Sequence, residues 1–180
     1  MARFKTSAFH FDDPDVGPAP GTSHPEFRRI CREPFFYNVT NEFAPFGSDA
    51  GADTLTSLED WYRGKKPRKV AAFIDEMLED WEMVLPDLTE SRPEVIERWL
   101  GDDTLSMALP ELDGLLLAAA FGQMKITGNV DADVHELALA ALAREEYSTT
   151  YWRKRNPAWA HARAKAAAEK KIRAALVAMR

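Results

Sequence analysis

The sequence has little cysteine, no long uncharged apolar run and no paired histidines, and each lack closes a class of function. One cysteine, Cys31, excludes an intramolecular disulfide and any cysteine-built zinc site. The longest uncharged apolar stretch, residues 115–123, falls far short of the roughly 20 residues that a membrane span needs, so no membrane partner is expected. Residues 1–13 alternate charge and aromatics without an apolar core. That pattern predicts no secretory signal, and a cytoplasmic location is the expectation. His10, His24, His135 and His161 form no His-Glu-x-x-His pair, so no metal is expected on them. A Gly-x-Ser-x-Gly elbow, a phosphate-cradling glycine loop and a dinucleotide fingerprint are all missing. The sequence therefore implies no catalytic residue and no cofactor.

What is present is an ordinary globular composition, 46% hydrophobic and 29% charged over 180 residues, with charge divided along the chain. Residues 1–152 carry 28 acidic and 14 basic side chains; residues 153–180 carry nine basic side chains and one acid, Glu169. Asp75, Glu76, Glu79, Asp80, Glu82, Asp87 and Glu90 fall in residues 70–90 without a lysine or arginine among them. Such a block attracts basic partners over about a Debye length, roughly 8 Å in physiological salt, and repels nucleic acid.

Apolar spacing predicts a mainly α, single-domain bundle of six to eight helices with an irregular aromatic N-terminal portion. Residues 1–22, rich in proline, glycine and aspartate, read as an extended loop. Ser23 and Glu26 make a capping box for a short helix ended by Pro34. Phe35, Phe36, Tyr37, Val39 and Phe43 have strand or irregular character. Ala52, Leu55, Leu58 and Tyr62 mark a helix stopping at Gly64. A second runs from Pro67 to Pro86 with Val70, Phe73, Ile74, Met77, Leu78, Trp81 and Leu85 on its stripe. Ser91 and Glu94 cap a third, with Val95, Ile96, Trp99 and Leu100 inward. Asp102 or Asp103 caps a segment that Pro110 breaks. Leu112, Leu115, Leu116, Ala119 and Ala120 line a central helix, and Gly122 and Gly128 bracket a turn. Asp131 opens a helix through Leu142, and Asn156-Pro157 starts a basic last helix over 157–180.

Chemistry is most distinctive between Asn41 and Leu55. Glu42, Asp49 and Asp53 can gather oxygen ligands for a divalent cation, as a small metal-dependent hydrolase would. Equally, Ser48 or Asp49 caps a helix and Asp53 complements its dipole, with Gly47 and Gly51 allowing a tight turn. Cys31 is expected to be a buried structural thiol, and His135 a solvated side chain. Asp75/Glu79 and Glu76/Asp80 are spaced four apart and point away from the apolar stripe together. Basic and aromatic residues mix in the tail; Arg153, Lys154, Arg155, Lys170, Lys171 and Arg173 would grip phosphates in a nucleic-acid-binding reading. With an acidic body close by, pairing within the chain is expected instead.

The runs His24-Pro25-Glu26-Phe27, Pro34-Phe35-Phe36, Glu42-Phe43-Ala44-Pro45-Phe46-Gly47 and Asp49-Ala50-Gly51-Ala52-Asp53-Thr54-Leu55 resemble the YfeS-like family of small bacterial proteins, over roughly residues 24–62. Some members stand beside polymorphic toxins or carry domains linked to DNA-damage enzymes. The resemblance implies an accessory or immunity role and brings no catalytic residues with it. The expected function is protein binding: the acidic face of Asp75, Glu76, Glu79, Asp80 and Glu82, with Asp102 and Asp103, covering a basic toxin or effector domain. The oligomeric state stays open.

Overall fold

Prolines and capping side chains set where the helices begin in the computed structural model, which describes residues 9–64, 69–83 and 87–179. Those residues form seven helices and no strand: α1 (Pro25–Ile30), α2 (Asp49–Gly64), α3 (Val70–Asp80), α4 (Pro93–Leu100), α5 (Asp103–Thr127), α6 (Ala132–Arg155) and α7 (Ala162–Ala178). The fold is mainly α, as the apolar spacing predicts. Pro25 and Pro93 occupy first turns, where a missing N–H leaves no helix bond unmade. Asp102 accepts from the N–H groups of Thr104 and Leu105 and so opens α5.

Helix α5 is the axis of the bundle. Its residues from Leu115 to Ile126 are all buried, and α1, α2, α3, α4 and α6 pack around it, with α7 laid on α6. By length and composition α5 is apolar enough to cross a membrane, and most of its apolar stretch is buried inside the fold. A smaller second core joins α4, the start of α5 and the end of α6 through Ile96, Leu100, Leu109 and Tyr151. The N-terminal loop is fastened to the far end of α5. Lys125, fully buried, pairs with Asp12 at 2.7 Å and Glu59 at 3.4 Å, while the backbone N–H groups of His10 and His24 donate to Ile126 and Lys125 carbonyls.

Several predicted boundaries are displaced, each by a competing contact. Ser23 does not cap α1: its hydroxyl turns back to the Ala19 carbonyl, and His24 Nδ1 accepts from the Glu26 N–H instead. The aromatic run from Phe35 is no strand. Pro34–Tyr37 forms a 3-10 turn, and Asn38 and Asn41 side chains then accept from the backbone N–H groups of Thr40, Asn41 and Phe43. Ser91 does not cap α4, because the Glu90 carboxylate takes the N–H groups of both Ser91 and Arg92. Pro110 does not break α5. Burial of Leu109, Leu112, Leu115 and Leu116 on both sides of it offsets a cost of about 3 kcal/mol for interior proline. Gly122 is no turn either; it lies inside α5 where a Cβ would stand 3.0 Å from Leu58 Cδ2, so it is a packing residue of the α2–α5 contact. The last helix starts at Ala162 rather than Pro157, since α6 continues to Arg155 and residues 156–161 turn the chain. The proposed start at Pro67 and the stop at Leu85-Pro86 lie outside the described residues, as do residues 1–8 of the N-terminal segment and Arg180.

Candidate functional site

The Asn41–Leu55 motif is first a tightly folded entrance to α2. A Cβ on Gly47 would stand 1.8 Å from the Asn41 carbonyl oxygen, and one on Gly51 would stand 2.5 Å from that of Pro45. Backbone therefore occupies the space that any larger residue needs. Ser48 Oγ accepts from the Gly51 N–H at 3.1 Å and serves as the cap, and Phe46 is sealed in the core. The three acids of the motif part company around Pro110. Glu42 lines a pocket between the motif loop, α5, α6 and α7. Asp49 and Asp53 line a separate, open depression with Glu111 and Trp81.

That open depression, about 390 Å³, continues the acidic end of α3. Asp75, Glu79, Asp80 and Glu82 are exposed and have no ion pair among the described residues, while Glu76 is half-buried. Glu82, at φ +51°, turns the chain out of α3 just beyond Trp81. Trp81, which follows α3, is the residue through which the depression holding Asp49 and Asp53 reaches the acidic helix. Asp102 serves as the α5 cap, and Asp103 is exposed in the first turn of that helix.

Three cations of the basic C-terminal helix are paired, while Arg163 and Lys170 are exposed with no ion pair among the described residues. Lys165 pairs with Glu145, Lys171 with Glu33 at 2.5 Å, and Arg173 with Glu146 through two hydrogen bonds. Among the described residues, pairing within the chain occurs as the charge split predicts, on α6 and Glu33. His135 is buried, not solvated. Its Nε2 lies 2.8 Å from the Leu176 carbonyl oxygen in the last turn of α7, which fixes the Nε2–H tautomer and adds a second donor to a carbonyl that also accepts from the Met179 N–H at 3.2 Å. Cys31 is fully buried, and burial pushes its thiol up, as expected of a structural cysteine.

Residues not singled out by the sequence fill the inner cleft. The Glu42 pocket, about 250 Å³, and an adjoining one of about 230 Å³ share Pro110, Glu145 and Lys165. Glu169 accepts from Thr149 Oγ1 at 2.5 Å and stands 3.8 Å from Lys165 Nζ. Burial raises its carboxyl to about 7, with Thr149 and Lys165 pulling the other way. Beneath it, Arg144 donates Nε–H to Asp113 at 2.8 Å and its terminal nitrogen to the Leu88 and Glu90 carbonyls, also at 2.8 Å. Burial pushes Asp113 up against the pull of that guanidinium. A signal for this cluster was in the sequence. Glu145 and Thr149 continue the α6 stripe of Ala138, Ala141 and Leu142, and Lys165 and Glu169 fall on the α7 stripe of Ala162, Ala168 and Ile172. Charged residues on a buried face pair or serve a site.

No protein-family model matches the chain, and no solved structure matches it significantly. It is 32% identical over 139 residues to a protein of Escherichia coli strain K12 named "Uncharacterized protein YfeS". The match takes in 77% of this chain, well beyond residues 24–62, and 56% of that relative, so the chain spans little more than half its length. Likeness over most of the helical body, added to the aromatic and glycine motifs, places this chain in the YfeS-like family.

Proposed function

We propose that this chain is a non-catalytic protein-binding module, an immunity factor that neutralises a basic toxin or effector domain by covering its cationic surface. One observation carries the reading. The carboxylates of Asp75, Glu79 and Asp80 are exposed and have no ion pair among the described residues, whereas Glu33, Glu145 and Glu146 are paired with the cations of α7. Like charges four apart on one helix disfavour the free helix by a few tenths of a kcal/mol, and a basic partner reverses that term. The depression holding Asp49, Asp53, Glu111 and Trp81 widens the face and adds an indole beside its acids. Complementarity of this kind speeds encounter and selects the partner.

The test is the affinity for a basic effector domain cross-linked to the chain in its native host and then purified. The triple variant Asp75→Lys, Glu79→Lys, Asp80→Lys is expected to weaken binding at least about a hundredfold and to flatten its salt dependence. Unchanged affinity overturns the acidic-face reading. The alternatives draw less from the geometry. Glu42 is separated from Asp49 and Asp53, which a metal-dependent hydrolase would need together. Of the six cations that a nucleic-acid surface would use, Lys171 and Arg173 are held by carboxylates of the same chain and Arg155 stands 3.9 Å from Glu97, while Arg153, Lys154 and Lys170 are exposed with no ion pair among the described residues.

A further inference from the structure

We propose that the cleft between the motif loop and helices α5, α6 and α7 binds a small amphipathic amine, its ammonium on Glu169 and Glu42 and its hydrocarbon body against Leu117, Leu142 and Ile172. This site lies across Pro110 from the acidic face and does not depend on the protein-binding reading.

The argument begins with shape. The pocket of about 250 Å³ is walled by four parts of the chain, with Ala44, Pro45, Leu117, Leu142, Ala168 and Ile172 supplying apolar surface. Glu145, Lys165 and Glu169 stand together in its wall, joined through Lys165, as polar groups do in sites that orient a small molecule. Charge then selects the ligand. Three carboxylates, Glu42, Glu145 and Glu169, line the pocket with one ammonium, Lys165. Lys165 is bound to Glu145, so its approach to Glu169 is the longer one, 3.8 Å. Both contacts of the Glu169 carboxyl, from Thr149 and from Lys165, fall on Oε1; Oε2 has no hydrogen bond or ion pair among the described residues.

A second cation supplies what this arrangement lacks. An anion would meet surplus negative charge. A bare metal ion is disfavoured because the described residues contain no group of three His, Cys, Asp or Glu that could hold one. An amine brings one positive charge, two or three donors and a carbon body, which match the carboxyl end and the apolar walls in turn. Phe43, whose ring lies 5.8 Å from Lys165 Nζ, stands in the lining and offers a face to the arriving cation. The strained ionisation of buried Glu169 agrees with this, since a neighbouring ammonium is what its carboxylate form is short of.

The experiment is calorimetry at about pH 8, where Glu169 is ionised, on the full chain with three probes of one shape: phenethylamine, 2-phenylethanol and 3-phenylpropionate. The amine is expected to bind, the alcohol to bind at least about tenfold more weakly, and the carboxylate to give no heat. Glu169→Gln should cost the amine about tenfold and leave the alcohol unchanged. Glu42→Gln, at an exposed rim position that folding does not depend on, should cost it about threefold. Three probes bound alike, no heat from the amine, or wild-type amine affinity in both variants would each overturn the proposal.

Discussion

A carboxyl group that keeps its proton to about pH 7 inside a helical interface makes stability depend on pH in a definite direction. Glu169 binds its proton more tightly in the folded chain, at about 7, than the ordinary value of 4.5. Ionising it therefore disfavours folding, and stability falls as pH rises through the window between those values. The size of the effect is at most about 3.5 kcal/mol, at about 1.4 kcal/mol for each pH unit of difference, and solvent screening lowers it. Glu169→Gln keeps an oxygen acceptor for the Thr149 hydroxyl and removes the titration. It is expected to be more stable than wild type near pH 8, similar near pH 5, and to fall less steeply between them, the remaining slope belonging to groups such as buried Asp113. Urea midpoints across that range check it, and a variant with the wild-type slope would assign the dependence to another group.

The helices themselves were legible wherever an apolar stripe was long. The stripes of α2, α5 and α6 are the ones that the spacing of leucine, alanine and aromatics predicts, because burying a face against α5 outweighs local preference. Ends were less legible. At Ser23 and Ser91 a neighbouring side chain or carbonyl captured the group that the cap required, and no capping pattern encodes which competitor wins. The candidate cleft was hidden for a different reason. Glu42 meets Glu145, Lys165 and Glu169 only because three helices converge on the motif loop, and no pattern within one segment records that convergence. Pro110 shows the same override at the level of one element: α5 runs through it although it cannot donate to the carbonyl four residues before. Pro110→Ala restores that donor. It is expected to stabilise the chain by about 1–3 kcal/mol, read as a higher urea midpoint at unchanged slope. A lower midpoint would show that the ring's packing against the surrounding hollows outweighs the missing bond.

At the scale of the whole molecule, one buried lysine ties distant parts of the chain. Lys125 on α5 holds Asp12 of the N-terminal loop and Glu59 of α2, and Asp12 in turn donates its backbone N–H to Glu59 and accepts from the Thr22 hydroxyl. Lys125→Met would leave the Asp12 carboxylate without a counter-ion beside Glu59, which keeps Arg63 at 2.9 Å, a loss of about 3–5 kcal/mol. The loop should then detach before the bundle melts, so limited proteolysis is expected to cut near residues 13–21 first. Cleavage that begins in the helices would show that the loop is held by other contacts. Pro110 also lines the acidic depression and both inner pockets. The Pro110 ring, with Ser48, stands between the outward face and the interior cleft, so an occupant on either side lies within reach of one reporter at Pro110. With Cys31 sealed and inert, a fluorine tag on Pro110→Cys would give one signal from both compartments, and separate resonances for a docked protein and a lodged small molecule would let the two events be followed in the same tube.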